Sequence, residues 1–428
     1  MANRNIFCNV PWTNLHIYWD GSYGVCCSEK KRFTANPAHN IKHMTVRDWY
    51  KCRVMDSVRR DIIGDNPLPN CQGCYKEEAV GYESRRIKEN FKSVIFTEQA
   101  FDRSYLQSPW VEKFQTSTAD EHPIDWHIDL GNECNLACKM CNAQASSTIA
   151  AKLRLHGQHT GDIKQSWADD PAAWTRFLDS IDAAPLRRLH VMGGEPMLMK
   201  RYHQLIDYLI DNKRFEISLS FVTNGTIIDQ ALIDKLKLFA NVDIEISIES
   251  LESINDYIRQ GSKIEQLKKN IELVAANQDD KLQLVLRTVP QLLSIKTYAD
   301  LIRYAYQNCL IIEGIPLMRP EFLAIKVLPK SLRISMIPVF EQLRAEIAEG
   351  ISIHQLQNGR NKGSYREKLI RECSAMIEML QEPEPLNVLA LRKQLSDHLS
   401  FWDRQYRFDA NDYYPELIPM LRMHGYAV

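Results

Sequence analysis

No apolar run in this 428-residue chain approaches the roughly 20 residues that a membrane-spanning helix needs. The sequence therefore predicts no membrane segment. Net charge is nearly absent too: 53 Lys and Arg stand against 54 Asp and Glu, leaving −1. Without a global basic field, long nucleic acid and acidic membrane surfaces are poor partners, although a small basic patch or a small nucleotide is still compatible. Internal repeats and low-complexity tracts are missing. The first residues, Met1 to Cys8, lack the form of a signal peptide, so the expected location is the cytoplasm. Apolar residues at 45% and charged residues at 25% are ordinary globular values. The length suits roughly two or three domains.

Cysteine is not scarce. There are 11, an odd number, gathered in C-x-x-C and C-C clusters. In a chain without an export signal, metal binding explains that pattern better than disulfides. The most informative run is Gly131-Asn-Glu-Cys-Asn-Leu-Ala-Cys-Lys-Met-Cys-Asn142. Cys134, Cys138 and Cys141 can hold three irons of a [4Fe–4S] cluster and leave the fourth iron open for chemistry. Zinc is the alternative, but a structural zinc takes four ligands. The run follows a strand-like stretch, 124–130, and so falls at the carboxyl end of a strand, where α/β proteins place active sites.

From residue 124 onward, short β-branched runs alternate with amphipathic segments. Expected strands are 126–130, 188–192, 216–222, 242–248, 282–289 and 324–328. Expected helices are 171–183, 202–212, 229–239, 264–276 and 295–307. This alternation predicts βαβ units and an α/β fold, a partial (β/α)6 TIM-like barrel. Beyond Pro329 the strand signal fades, and 334–349, 367–381 and 386–399 read as helices. The first hundred residues look irregular apart from a helical stretch at 46–63. Small domains poor in apolar periodicity often rely on a metal. The expected division is an N-terminal cysteine-rich domain at 1–120, a barrel at 121–330 and a helical C-terminal region at 331–428.

The cysteine run, followed after the second strand by Met192-Gly-Gly-Glu-Pro196, resembles the radical S-adenosylmethionine (SAM) superfamily. That resemblance implies a cytosolic enzyme. Its open iron chelates the methionine end of SAM, and one electron cleaves the sulfonium to a 5′-deoxyadenosyl radical that abstracts hydrogen from substrate. The cofactors carry the hard chemistry, while the protein supplies placement and shielding. Gly193 and Gly194 would admit close backbone approach. The resemblance assigns their motif to the methionine amino group, with Glu195 as a contact. Met140 takes the place of an aromatic residue near the adenine in many relatives. Thr223 and Asn224, in Val222-Thr-Asn-Gly-Thr226, match the next cofactor-side loop. Ser247 and Arg259 fall where relatives contact ribose and carboxylate.

Cys8, Gly21, Cys26 and the pair Cys71-Gln-Gly-Cys74 resemble the auxiliary-cluster domains called SPASM and twitch. The further cysteines of the longer pattern are missing, which implies one auxiliary [4Fe–4S] cluster on Cys8, Cys26, Cys71 and Cys74. Cys27 is an alternative to Cys26, and a four-cysteine zinc knuckle is an alternative to the cluster. In many relatives this domain follows the barrel, whereas here it precedes it. Cys52, Cys309 and Cys373 have no partners at ligand spacing and read as small buried hydrophobes. His127 and His190 lie on expected strands and read as structural. Glu245 and Glu249 share a strand face and could meet Arg287 or Arg319, either as ion pairs or as substrate contacts. The aromatic and arginine-rich tail, 401–417, reads as packing.

A saturated auxiliary cluster suits loss of an electron from a product radical. The function implied by the resemblance is oxidative modification of a peptide, with a reductant such as flavodoxin or ferredoxin. A nucleotide, nucleobase or sugar substrate is the second reading. A non-catalytic iron–sulfur or zinc protein on a borrowed barrel is the third.

Overall fold

The computed structural model describes residues 6–29, 33, 35–79, 84–95, 122–158, 166–317, 319–350 and 365–427. In chain order its strands are β1 (Asn14–Ile17), β2 (Tyr23–Gly24), β3 (Asp125–Asp129), β4 (Ala137–Cys138), β5 (Arg188–Met192), β6 (Ser218–Thr223), β7 (Asn241–Ser247), β8 (Arg259–Gln260), β9 (Leu282–Thr288) and β10 (Ile311–Gly314). Two compact units form. One comprises Met1–Asn132 and Asp162–Ser220, and the other Glu133–Gly161 and Phe221–Val428. The architecture is α/β, of the partial TIM-like barrel kind, with mostly parallel strands, intervening helices and a helical C-terminal region.

In the first unit, β1 pairs antiparallel with β2 and parallel with β3, and β3 runs parallel to β5. A strand from the cysteine-rich segment thus extends the barrel's own sheet. Period-two alternation sorts the side chains. Trp126, Ile128, Leu189 and Val191 are buried together, and Trp126 lies 6.0 Å, ring to ring, from Phe177 of the helix Pro171–Ala183. That helix begins where Asp170 accepts from the amides of Ala172 and Ala173, with Pro171 at its first position. The opposite face is polar yet buried. His16, His127 and His190 stand in register across β1, β3 and β5.

In the second unit, β7, β9 and β10 run parallel. Val242, Ile244 and Ile246 of β7 are buried at alternate positions. Helices Ile264–Ala276 and Ile295–Gln307 follow β8 and β9 respectively. A two-stranded antiparallel ribbon of β4 and β8 stands apart from the main sheet. The C-terminal region contributes helices Lys330–Glu349, Tyr365–Gln381 and Val388–Tyr406. Trp402, Tyr414 and Leu417 of the aromatic tail are buried, which makes that tail part of the packing.

Two elements differ from expectation. The stretch 324–328 holds a turn of 3-10 helix, Ile325–Val327, after another at Glu321–Leu323, and the strand that follows β9 is β10. Ala324, Ile325, Val327 and Leu328 are all buried, and a short continuous apolar run cannot reveal by periodicity which conformation buries it. The helical stretch at 46–63 is broken: Val46–Tyr50 ends, Cys52 turns extended, and Arg53–Ile63 begins.

Candidate functional site

The cysteine loop in the second unit is held mainly through its backbone. Ser147 Oγ accepts from the amide of Cys134 at 3.1 Å, and Thr148 Oγ1 donates to its carbonyl at 2.6 Å. Ser146 Oγ donates to the Leu136 carbonyl at 2.7 Å and accepts from Ile149 N, capping the helix Ser147–Leu155. Farther along, Cys138 lies on β4 in register with Arg259 of β8, and the Cys141 amide donates to the Cys138 carbonyl. Met140 is half-buried between them. The sulfurs themselves make longer contacts: Cys134 Sγ accepts from Leu136 N at 3.5 Å, and Cys141 Sγ donates to the Asn142 carbonyl at 3.8 Å.

Burial pushes the Cys138 thiol up to about 11 and raises that of Cys141. A thiolate there needs a compensating cation, which metal coordination supplies. Arg259 gives part of it, with Nη1 3.8 Å from Cys138 Sγ. Its Nη2 donates to Glu249 Oε1 at 2.6 Å. Glu249 is fully buried and also accepts from Val289 N at 3.0 Å and Thr288 Oγ1 at 3.3 Å. Burial raises the Glu249 carboxyl against the pull of Arg259. Burial also weighs on the Arg259 charge, but Glu249 and Cys138 more than offset it and its pKa rises. Arg259 Nε is buried and meets no hydrogen-bond partner among the described residues. A fixed, buried guanidinium with a donor to spare beside Cys138 fits an anionic group of a cofactor.

The 222–226 loop is tied to the same cysteine loop. Asn224 Nδ2 donates to Asn135 Oδ1 at 2.7 Å, and Asn135 Nδ2 donates to Thr226 Oγ1 at 2.9 Å. Thr223 Oγ1 accepts from Gly225 N at 3.1 Å. Ser247 is buried at the end of β7, in register with Arg287.

The glycine motif belongs to the first unit. Gly193 has φ +95°, and a Cβ there would sit 2.5 Å from the Gly131 carbonyl oxygen. Only glycine allows β5 to turn so close to the end of β3. Gly194 follows at φ +31°. Glu195 is buried, and its Oε1 caps the turn Pro196–Leu198 through Met197 N at 3.0 Å.

The N-terminal thiols fall into two groups. Cys8, Cys71 and Cys74 are electrostatic neighbours, and burial pushes both Cys8 and Cys71 up to about 12. Cys26 and Cys27 share a hydrogen bond. That bond, with the positive charge of Arg85, lowers Cys27 to about 5 while Cys26 rises. Glu29 links the groups: it accepts from Val25 N and Tyr18 Oη, and its charge acts on Cys71. Among the described residues no three Cys, His, Asp or Glu side chains converge on a single-ion position. A cubane is held differently, each thiolate taking its own iron.

Arg287 pairs with Glu245 (Nε to Oε2, 2.8 Å) and with Glu313 (Nη1 to Oε2, 2.6 Å), whereas Arg319 is exposed. His127 accepts from Arg85 at 2.9 Å, and burial together with Arg85 holds it well below the usual imidazole range. His190 bonds Ser220 at 2.7 Å. Cys373 is buried, while Cys52 and Cys309 are half-exposed. Sequence reasoning did not single out Asn135, His16, Lys139 or the 146–148 triplet. Ser146-Ser-Thr148 before a helical run is a legible capping signal; the others gave no local one.

A family profile matches residues 128–289, described as "Radical SAM superfamily". A "Probable GTP 3',8-cyclase" of Methanococcus maripaludis is 26% identical over 242 residues, 55% of this chain and 71% of that protein. The "Sporulation killing factor maturation protein SkfB" of Bacillus subtilis is 22% identical over 175 residues, 41% of this chain and 37% of that one. The crystal structure of Streptococcus suis SuiB bound to S-adenosylmethionine aligns at TM-score 0.38 and 16% identity over 65% of this chain, which spans 60% of that structure. Within the second unit, the half-buried thiols of the loop and the spare donor of Arg259 fit a cluster and an anionic partner. Residues 128–289 form a radical SAM domain, of a superfamily that works with SAM and a [4Fe–4S] cluster.

Proposed function

We propose that Cys134, Cys138 and Cys141 hold the catalytic cluster and that the chain oxidatively modifies a peptide. The observation that carries the first part is the cysteine loop itself. Its backbone is fixed by Ser146, Ser147 and Thr148, and the guanidinium that reaches Cys138 keeps an Nε with no hydrogen-bond partner among the described residues. When bound, the reduced cluster and SAM supply a 5′-deoxyadenosyl radical for hydrogen abstraction. Arg259, oriented by Glu249, would receive the cofactor's carboxylate. Gly193 and Gly194 would admit its methionine end, with Glu195 fixing their turn. Met140, Thr223, Asn224 and Ser247 would complete the nucleoside side.

The peptide reading is supported by relatives named for peptide maturation, SkfB and "PqqA peptide cyclase", and by the structure of SuiB bound to its precursor peptide. The matching "Probable GTP 3',8-cyclase" proteins favour a nucleotide as the second reading. An auxiliary cluster on Cys8, Cys71, Cys74 and one of Cys26 or Cys27, in a twitch-like segment over 1–120, would take the electron that a product radical sheds. A flavodoxin or ferredoxin would reduce the catalytic cluster in the cytoplasm.

The test is anaerobic reconstitution with dithionite and SAM. The native chain should form 5′-deoxyadenosine, and the variant with Cys134, Cys138 and Cys141 all replaced by Ala should form none. Cleavage surviving in that variant would refute the ligand assignment. Iron should total about eight per chain for two [4Fe–4S] clusters; half that amount plus one zinc would replace the auxiliary cluster by a knuckle. Deuterium transfer into 5′-deoxyadenosine from labelled GTP, but from no labelled peptide, would select the nucleotide reading.

A further inference from the structure

Lys139 stands between two of the proposed iron ligands, Cys138 and Cys141, and its side chain is fully buried. Lysine is rarely buried completely unless it is paired. Here every polar atom of the residue is engaged. Its amide donates to the Ile258 carbonyl at 2.8 Å, and its carbonyl accepts from His398 Nε2 at 2.9 Å. Its ammonium donates to Asp403 Oδ1 at 2.7 Å and lies 4.0 Å from the centroid of the Tyr257 ring. With its amide oriented to satisfy both ends, Gln260 accepts from the same ammonium at 2.9 Å and donates to the Ala137 carbonyl.

Asp403 is also fully buried. Its Oδ2 accepts from Tyr257 Oη at 3.0 Å and Tyr426 Oη at 2.8 Å. Two residues of the helix Val388–Tyr406, His398 and Asp403, therefore reach one residue of the cysteine loop, one through its backbone and one through its side chain. The partners lie 264 positions apart in sequence.

We propose that Asp403 is a positioning residue for the catalytic cluster: through Lys139 it fixes the turn from Cys138 to Cys141, which makes the C-terminal helix part of the cluster's cradle. The inference rests on Cys134, Cys138 and Cys141 being the ligands. It predicts an asymmetry. Asp403→Asn leaves a buried ammonium facing an amide, with only Gln260 and the Tyr257 ring in compensation. Lys139→Met leaves Asp403 still accepting from two tyrosine hydroxyls, and so disturbs the loop less. Removing both charges, in Lys139→Met with Asp403→Asn, takes away the orphaned ammonium and should recover most of the loss.

The experiment measures iron release to a chelator and the electron paramagnetic resonance signal of the dithionite-reduced chain before and after SAM. The signal absent from the triple cysteine-to-alanine variant marks the catalytic cluster. Asp403→Asn should release that cluster's iron roughly 10–100-fold faster, the range typical of lost outer-shell support, and should alter the SAM-induced change in the signal. Leu399→Ala, buried on the same helix, serves as the control for general loosening and should spare the signal at a matched melting temperature. Wild-type release from Asp403→Asn would overturn the proposal. So would equal loss from Leu399→Ala, or a double variant no better than Asp403→Asn. A full signal from the triple variant would instead overturn the ligand assignment, and this proposal with it.

Discussion

Glu249→Gln is the most incisive test of the electrostatics around Cys138. Glu249 is fully buried and balances Arg259 across 2.6 Å, while Val289 N and Thr288 Oγ1 donate to its other oxygen. A glutamine keeps the shape but brings an NH2 group. Turned one way, that group faces the guanidinium; turned the other, it faces the Val289 amide. Either way a donor meets a donor, and the guanidinium loses its carboxylate partner, with the Cys138 sulfur left at 3.8 Å. Breaking a buried pair by removing one partner costs about 3–5 kcal/mol, a large part of the roughly 5–15 kcal/mol that stabilises a domain. Arg259→Met should cost less. The stranded carboxyl, already raised by burial, can take up a proton, an escape closed to a guanidinium. The assay is urea unfolding of both single variants and the double, with SAM binding by equilibrium dialysis. Glu249→Gln should lower the unfolding midpoint most and weaken SAM binding, and the double variant should regain stability but not binding. A loss below about 1 kcal/mol for Glu249→Gln, or a larger loss for Arg259→Met, would refute the reasoning.

Gly193→Ala should abolish SAM cleavage, because its Cβ would stand 2.5 Å from a backbone carbonyl. Gly157→Ala, also at positive φ but with none of the described residues within 4 Å of the added Cβ, should show only the conformational cost of about 1–2 kcal/mol; equal damage from both would contradict the close-approach argument. Burial lowers His398 to about 4, with help from Lys139. Between that value and the unfolded value near 6.5, the unfolded chain binds more protons, so stability should fall as pH drops through that window. At pH 5.5 the loss from this group is about 1.4 kcal/mol. Urea midpoints at pH 7.5 and 5.5 should differ less in His398→Gln than in the native chain.

Where function rode on local pattern, the sequence was legible. Helices 171–183, 264–276 and 295–307 and strand 188–192 form over the expected residues, because amphipathic and β-branched periodicity is a local property. The Arg287–Glu245 ion pair is one of the two readings that strand alternation left open for these residues. β1 was not legible: Asn14-Leu-His-Ile17 is short, and it turns His16 to a face that is polar yet buried. Lys139 and Asp403 gave no signal either, since nothing near either residue specifies a partner 264 positions away.

The pairing of β1 with β3 has a consequence for how the chain is made. Asn14 donates to Asp125, 111 positions later, and the whole β1 ladder waits for that strand. Synthesis proceeds from the N-terminus, so Cys8 and Cys26 emerge long before the edge on which their segment completes its sheet. The β1–β3 ladder can therefore close only after β3 has left the ribosome. A chain stripped of β1 would expose the β3 edge, a row of unpaired amides and carbonyls open to another molecule.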